Sequence, residues 1–224
     1  KMNPERKFPV SAGNLRFAAN PRLDFGITDS DAVGSATLEI YNEGESDADL
    51  FTLLKLPDYI TVNQQKISPK TASSITFSFD AKKFKKTGLS ENRINVSGAK
   101  NKVAINYMVI VRENFGHLTD AQKADKGILN VDVRSLYLPK SVNSVTLKIS
   151  NTGKSKLNIK NIQSFNPGFS FSKTKFTLNP DETEEITVTY SLNKVDEKNI
   201  KPYIYITSDD PSNSVAEVFT YAEV

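Results

Sequence analysis

A pattern of turns and alternating apolar residues is written twice in this chain of 224 residues. The first copy runs Leu38-Glu-Ile-Tyr-Asn-Glu-Gly44, then Ile67-Ser-Pro-Lys-Thr-Ala-Ser-Ser-Ile-Thr-Phe-Ser-Phe79, then Arg93-Ile-Asn-Val-Ser97. The second runs Leu147-Lys-Ile-Ser-Asn-Thr-Gly153, then Leu178-Asn-Pro-Asp-Glu-Thr-Glu-Glu-Ile-Thr-Val-Thr-Tyr190, then Tyr203-Ile-Tyr-Ile-Thr207. The offset between copies stays nearly constant through all three blocks, which unrelated chance matches would not do, so a whole β-rich domain is duplicated in tandem.

Within each copy the apolar residues recur at every second position. Ala36-Thr-Leu-Glu-Ile40 and Ile75-Thr-Phe-Ser-Phe79 have the period of a half-buried strand. Asn42-Glu-Gly44 and Asn151-Thr-Gly153 end strands where Asn tolerates and Gly favours the positive φ of a tight reversal. Pro69 and Pro180 sit where a turn wants φ preset. Leu50 to Leu56 reads as a further β segment, Lys82 to Gly88 as a basic connection, and Val103 to Val111 as a long strand. Short strands at even spacing, broken by Gly, Pro and Asn turns, predict an all-β fold of two tandem immunoglobulin-like antiparallel β-sandwiches. The expected boundaries are a flexible leader at 1–14, a sandwich at 15–112, a linker at 113–127 and a second sandwich at 128–224. In the linker Thr119 and Asp120 are placed to cap one or two helical turns before Gly127.

Composition removes several function classes. There is no cysteine, so disulfides, iron–sulfur clusters, thiolate nucleophiles and zinc–thiolate sites are excluded. The lack of tryptophan removes the cysteine–tryptophan core of antibody domains. A net charge of +3 is no nucleic-acid footprint. The longest apolar run is far short of the ~20 residues that cross a bilayer as a helix. The chain opens at Lys1 rather than a start methionine, so a signal peptide or lipid anchor is expected upstream, if there is one.

The second copy resembles the bacterial choice-of-anchor D repeats and the wider ASH, or Hydin-like, branch of immunoglobulin-like domains. The resemblance is carried by Asn151-Thr-Gly153 with Lys154 and Leu157-Asn-Ile159, by Phe169-Ser-Phe171, by Phe176-Thr-Leu178-Asn-Pro180 leading to Glu185-Ile-Thr-Val-Thr-Tyr190, and by Ile206-Thr-Ser-Asp-Asp-Pro211. In the first copy Asp24-Phe25-Gly26 and Asn42-Glu-Gly44 are similar to a domain of unknown function in secreted Bacteroidetes proteins. The Cys-Gly-Cys often present in that domain is missing, and Ser97-Gly-Ala-Lys stands where a Ser-Asn-Asp-Pro-like corner is expected. The resemblance implies a non-catalytic module, often exported, that docks onto other proteins or surfaces.

Candidate sites are few. His117, the only histidine, lies in the linker, a poor place to hold a base within hydrogen-bond range. Asp29 with Asp31, Asp47 with Asp49, and Asp209 with Asp210 fall in turns where Asp caps its own backbone. A loose calcium site stays open at Asp29/Asp31 or Asp209/Asp210, although Val33 and Ile40 rule out an EF-hand. Lys82, Lys83, Lys85 and Lys86 surround Phe84 and would meet an acidic partner, or simply be a solvated loop. If Ile204 and Ile206 face the core, Tyr203 and Tyr205 point outward, and Phe219 and Tyr221 can join them. Such a stripe is a stacking platform for sugars or protein partners, or else a set of cross-strand pairs or rings packed on the linker or other domain. Asn95-Val-Ser97 fits a glycosylation pattern inside a strand and is taken as chance.

The expectation is therefore a non-catalytic structural or binding protein with no cofactor and no metal. Its partner would be a protein or glycan at the cell surface or envelope, not nucleic acid. Its location would be periplasmic, outer-membrane-anchored or secreted in a bacterium. The alternative is a periplasmic pilus-type chaperone, with Val103–Val111 lent to a subunit and Lys102 and Arg16 holding a carboxylate. An enzyme, with a glycosidase as the nearest kind, would need a pocket of converging carboxylates.

Overall fold

The computed structural model describes residues 4–97, 103–191 and 202–222. The chain divides into two compact units, Lys1–Val111 and Arg112–Val224.

In the first unit the strands are β1 (Val10–Ala12), β2 (Leu15–Phe17), β3 (Arg22–Asp29), β4 (Val33–Asn42), β5 (Ala48–Asp49), β6 (Leu54–Lys55), β7 (Ile60–Val62), β8 (Lys66–Ile67), β9 (Thr71–Asp80), β10 (Gly88–Val96) and β11 (Ala104–Arg112). They form one sheet in the order β1-β2-β4-β9-β7, a second in the order β3-β11-β10-β6, and a small β5-β8 pair. Alternation in β4 and β9 explains their pairing. Register sets Leu38 across from Ile75 and Ala36 across from Phe77 on the inner face, and Thr37 across from Thr76 on the outer. Ile40, Ile75, Phe77 and Phe79 then meet Phe17, Leu23, Ile94 and Ile105 in one buried cluster.

The second unit opens with the helix α4 (Asp120–Ala124), though that label follows three short helices of the first unit: α1 (Pro4–Lys7), α2 (Leu50–Leu53) and α3 (Ala81–Phe84). Thr119 caps α4 in a full capping box with Gln122. Its strands are β12 (Leu129–Val131), β13 (Ser135–Leu138), β14 (Ser144–Asn151), β15 (Leu157–Gln163), β16 (Phe169–Phe171), β17 (Phe176–Leu178), β18 (Thr183–Tyr190), β19 (Tyr203–Ser208) and β20 (Val215–Ala222). The sheets run β12-β14-β18-β16 and β13-β20-β19-β15-β17. The first order repeats β2-β4-β9-β7 strand for strand, and the second repeats β3-β11-β10-β6 with β17 added at its edge, so the duplication seen in sequence is a duplication of topology. Leu147, Ile149, Ile186, Val188, Ile204 and Ile206 lie in this unit's own core.

Four local expectations need correction. Residues 1–14 are not all loose leader: Phe8 and Ala12 are buried, and β1 pairs antiparallel with β2 through a turn in which Gly13 takes φ 62°. Burial of two apolar side chains outweighs the polar composition around them. Leu50–Leu53 is a helical turn rather than strand, because Asp49 accepts hydrogen bonds from the N–H groups of Phe51 and Thr52. The basic connection begins with α3, likewise capped by Asp80. Gly44 and Gly153 are not among the residues with positive φ. Gly153 is required instead by close approach, since a Cβ there would stand 2.3 Å from the Lys126 carbonyl oxygen and 2.5 Å from the Ile128 backbone nitrogen, whereas one on Gly44 would press only on the side chains of Asn14 and Asn42. The Gly98–Lys100 corner, and Lys102, lie outside the described residues.

Candidate functional site: an aromatic face on the second unit

Strands β19, β20 and β13 are neighbours, and their alternation separates two faces. Ile204, Ile206, Val218, Leu136 and Leu138 are buried toward the core. The period of two then sends Tyr203, Tyr205, Phe219, Tyr221 and Tyr137 to the opposite face. Register sets Tyr203 directly across from Phe219, and Tyr137 beside Tyr221 in the parallel β13–β20 pair.

The rings make an unbroken chain. Phe165 meets Tyr205 edge-on at 5.7 Å, Tyr205 lies 6.0 Å from Tyr203, and Tyr203 meets Phe219 edge-on at 5.5 Å. Phe219 and Tyr221 are 6.2 Å apart with ring planes only 15° from parallel, and Tyr221 lies 5.4 Å from Tyr137. Aromatic pairs of this kind contribute roughly 0.5–1.5 kcal/mol each beyond their area, so the row is stiffened by its own contacts. Its far end is open: Phe219, Tyr137 and Tyr221 are 38%, 40% and 46% exposed.

Of the four aromatic residues expected here, Tyr203, Phe219 and Tyr221 reach solvent and Tyr205 does not. Tyr205 is fully buried. After β15 the Ser164 hydroxyl donates to the Tyr203 carbonyl at 2.8 Å, and this draws Phe165 against the Tyr205 ring. Tyr137 and Phe165 belong to the row and were missed. Leu136-Tyr-Leu138 shows the alternation that turns Tyr137 outward, but not that β13 lies parallel to β20.

The four lysines make no comparable site. Lys82, Lys83, Lys85 and Lys86 are all exposed around α3, which Lys85 closes in the left-handed region at φ 60°. The ring of Phe84 is turned inward against Tyr59 at 4.9 Å and Phe79 at 5.0 Å. Lys86 Nζ lies 5.8 Å from the centre of that half-buried ring, and the other three lysines extend from α3 and its end without a ring between them, the arrangement of a solvated face.

Three of the six acidic turn residues, Asp49, Asp209 and Asp210, are occupied largely by backbone donors. Asp210 is buried and accepts from the N–H groups of Leu129, Ser212 and Asn213 at 2.8, 2.7 and 3.2 Å. Asp209 accepts from the N–H and side-chain amide of Asn158. Asp49 holds α2 and Gln65. Among the described residues no group of three or more His, Asp or Glu could hold a metal ion. His117 is exposed in the turn before α4, its ring 6.4 Å from Phe115. A shallow concavity lined by Leu129, Val131, Arg134, Val215 and Glu217 contains one carboxylate, so no acid pair converges in it.

Residues 131–219 match a family model described as HYDIN/CFA65/VesB-like, Ig-like domain. The second unit thus carries the Hydin-like likeness read from its turns, and the fold is that of immunoglobulin-like β-sandwiches. Among solved structures, a Porphyromonas gingivalis W83 protein of unknown function aligns with TM-score 0.69 and 18% identity, over 95% of this chain and 100% of that one. This likeness to a Bacteroidetes protein is one of fold. The Escherichia coli chaperone DraB aligns at TM-score 0.29 and 13% identity over 94% and 98% of the two chains. The Vibrio cholerae VesB protease aligns at 0.28 and 11% over 44% and 32%. Those two likenesses are too distant to bear on function. No curated protein matches the chain.

Proposed function

We propose that this chain is a non-catalytic, exported binding protein of a bacterial surface or envelope, and that its second sandwich docks a partner through the aromatic face. The observation that carries the reading is the exposure of Phe219, Tyr221 and Tyr137 side by side. Among the described residues the other exposed large apolar side chains, such as Val33, Phe51 and Val142, lie on separate elements. Scattered apolar residues are ordinary on a surface, whereas a contiguous group is a recurrent mark of an interaction site. Family likeness adds support for a docking module rather than a reaction centre, and Asp49, Asp209 and Asp210 are held by hydrogen bonds to their own turns and neighbouring strands.

The pilus-type chaperone has less support. Lending a strand to a subunit calls for an open edge, and β11 lies between β3 and β10. The Arg16 guanidinium, the proposed anchor, is already paired with Glu43 and Glu5.

The test is cell fractionation of the source organism with an antibody to the chain, comparing wild type with a Phe219→Ala/Tyr221→Ser double variant. The wild type is expected in the envelope or culture fluid, bound to a sedimentable component, with the variant released from it. A chain confined to the cytosol, or a variant retained like the wild type, would overturn the reading.

A further inference from the structure

We infer that the outer edge of β12 in the second sandwich docks an extended strand of another protein, at a site separate from the aromatic face. The two copies of the domain carry the inference because they differ there. In the first, β2 is paired on one side with β4 and on the other with β1. In the second, β12 takes the place of β2, with Leu129 opposite Asn151 as Leu15 is opposite Asn42. Yet β12 ends its sheet, and among the described residues no strand pairs with its outer edge. The other strands of the first sandwich recur in the second. Even β17 answers to β8, since Leu157 faces Leu178 as Ala48 faces Ile67. β1 is the strand that the second sandwich lacks.

The hydrogen-bonding groups of that edge point outward. The Ile128 carbonyl accepts from Thr152, and the Asp132 N–H donates to the Lys148 carbonyl, so the even-numbered residues bond to β14. Leu129 and Val131 therefore turn their N–H and C=O groups to the open side. Asp210 takes the Leu129 N–H at 2.8 Å and shields one of these groups. Beyond it stand the Leu129 carbonyl and the Val131 N–H and carbonyl, the groups that an added antiparallel strand would bond. Beside them is room for that strand. Leu129, Val131 and Val133 line one side of a concavity of about 390 Å³, and Val215 and Ala216 line the other. It stays open because β13 joins β20 only from Phe219 onward, whereas residues 215–218 pair with β19 on their far side.

β1 shows what suits such an edge. Ala12 is buried and Val10 half-buried against the core, while Ser11 between them faces solvent. The concavity is likewise aliphatic within, and exposed Arg134 and Glu217 beside it give it no net sign. The occupant is accordingly an extended segment with small apolar residues at alternate positions, running antiparallel to β12. A second copy of this chain is a poor donor. Its β1 is already seated on β2, and moving it would break as many pairs as it made. A strand from another protein gains its pairs without that loss.

The test is titration of the isotope-labelled full chain with a capped peptide copying residues 4–13, read by amide NMR and hydrogen exchange. Saturable shifts are expected at Val131 and Val133, with a Kd of about 1 mM or tighter. With peptide at about ten times Kd, the Val131 amide should exchange about tenfold more slowly. A methyl group on the peptide's Val10 nitrogen, which would meet Val131, should abolish binding. One on its Ser11 nitrogen, which would point away from β12, should not. In the protein, Val131→Pro removes an N–H from the open edge but no bond to β14, and should lose the peptide while unfolding near the wild-type temperature. If that variant misfolds, the two methylated peptides decide alone. No binding at ~5 mM peptide, shifts confined to Leu15 and Phe17, or equal binding of both methylated peptides would overturn the inference.

Discussion

Asn42 and Asn151 hold the two sandwiches shut in the same way. Each is fully buried. Asn151 Nδ2 donates to the carbonyls of Ser155 at 2.8 Å and Leu178 at 3.1 Å, while its Oδ1 accepts from the N–H groups of Gly153 and Ile128 at 2.9 and 3.1 Å. Asn42 repeats three of these bonds, to Ser46, Ile67 and Gly44. One amide thus ties the end of a strand both to its own turn and to the strand before the Pro69 or Pro180 turn. Asn151→Ala would leave two carbonyls and two N–H groups short of partners in a buried place, and should cost about 3 kcal/mol, measured by urea unfolding. Asn151→Asp keeps the shape but aims oxygen at two carbonyls, so at neutral pH it should be at least as damaging as alanine. That these residues sit in turns was legible from Asn-x-Gly in both copies. The long reach to Ile67 and Leu178 was not, because no local propensity encodes a bond spanning more than twenty residues. The only trace is that the Asn-x-Gly and x-x-Pro blocks were duplicated together.

At the scale of elements, the repeated proline turns carry a conformational cost. Lys70 and Asp181, each following a proline, have φ of 53° and 62°, the left-handed region that favours glycine. The Glu182 N–H closes the second turn on the Asn179 carbonyl at 3.1 Å. Asp181 is exposed, so Asp181→Gly should stabilise the second unit by about 0.5–1 kcal/mol in thermal unfolding. Lys70→Gly should gain less, because Lys70 Nζ also reaches the Glu43 carbonyl and Glu45. A second element-level effect is alkaline. Tyr107 on β11 is buried and shares a 2.8 Å hydrogen bond with the Tyr59 hydroxyl. Burial first, and then Tyr59, push its hydroxyl well above the usual phenol range. The unfolded chain loses that proton near pH ~10 while the folded chain keeps it, so this stability is whole below pH ~10 and drains away above it. Tyr107→Phe should cost about 1 kcal/mol at pH 7 and flatten the decline above pH ~10, read from denaturation midpoints against pH. The strand that holds Tyr107 was legible from its alternation. The helical turns α2 and α3 were not, because Asp49 and Asp80 act through caps that override the β pattern of the residues they precede, whereas α4 was legible from Thr119 and Asp120.

For the whole molecule, the controlling fact is that each unit closes its own core. Phe77 and Phe79 belong to one buried cluster, Ile149 and Ile186 to another. Each cluster takes residues from both sheets of its own sandwich, so neither depends on the other unit for its apolar partners. A domain of about 100 residues can bury enough surface to stand alone. Two consequences follow that a single merged core would forbid. Fragments cut at the Val111–Arg112 boundary should each fold in isolation, with the dispersed amide spectrum of a sandwich. In the full chain, Ile149→Ala removes a fully buried side chain and should destabilise the second unit by about 2–5 kcal/mol. Differential scanning calorimetry should then show one transition moved down and the other left where it was, which tryptophan fluorescence cannot resolve because the chain has no tryptophan. A single transition that shifts as a whole would mean that the units unfold together, and the duplication would then describe the ancestry of this chain but not its energetics.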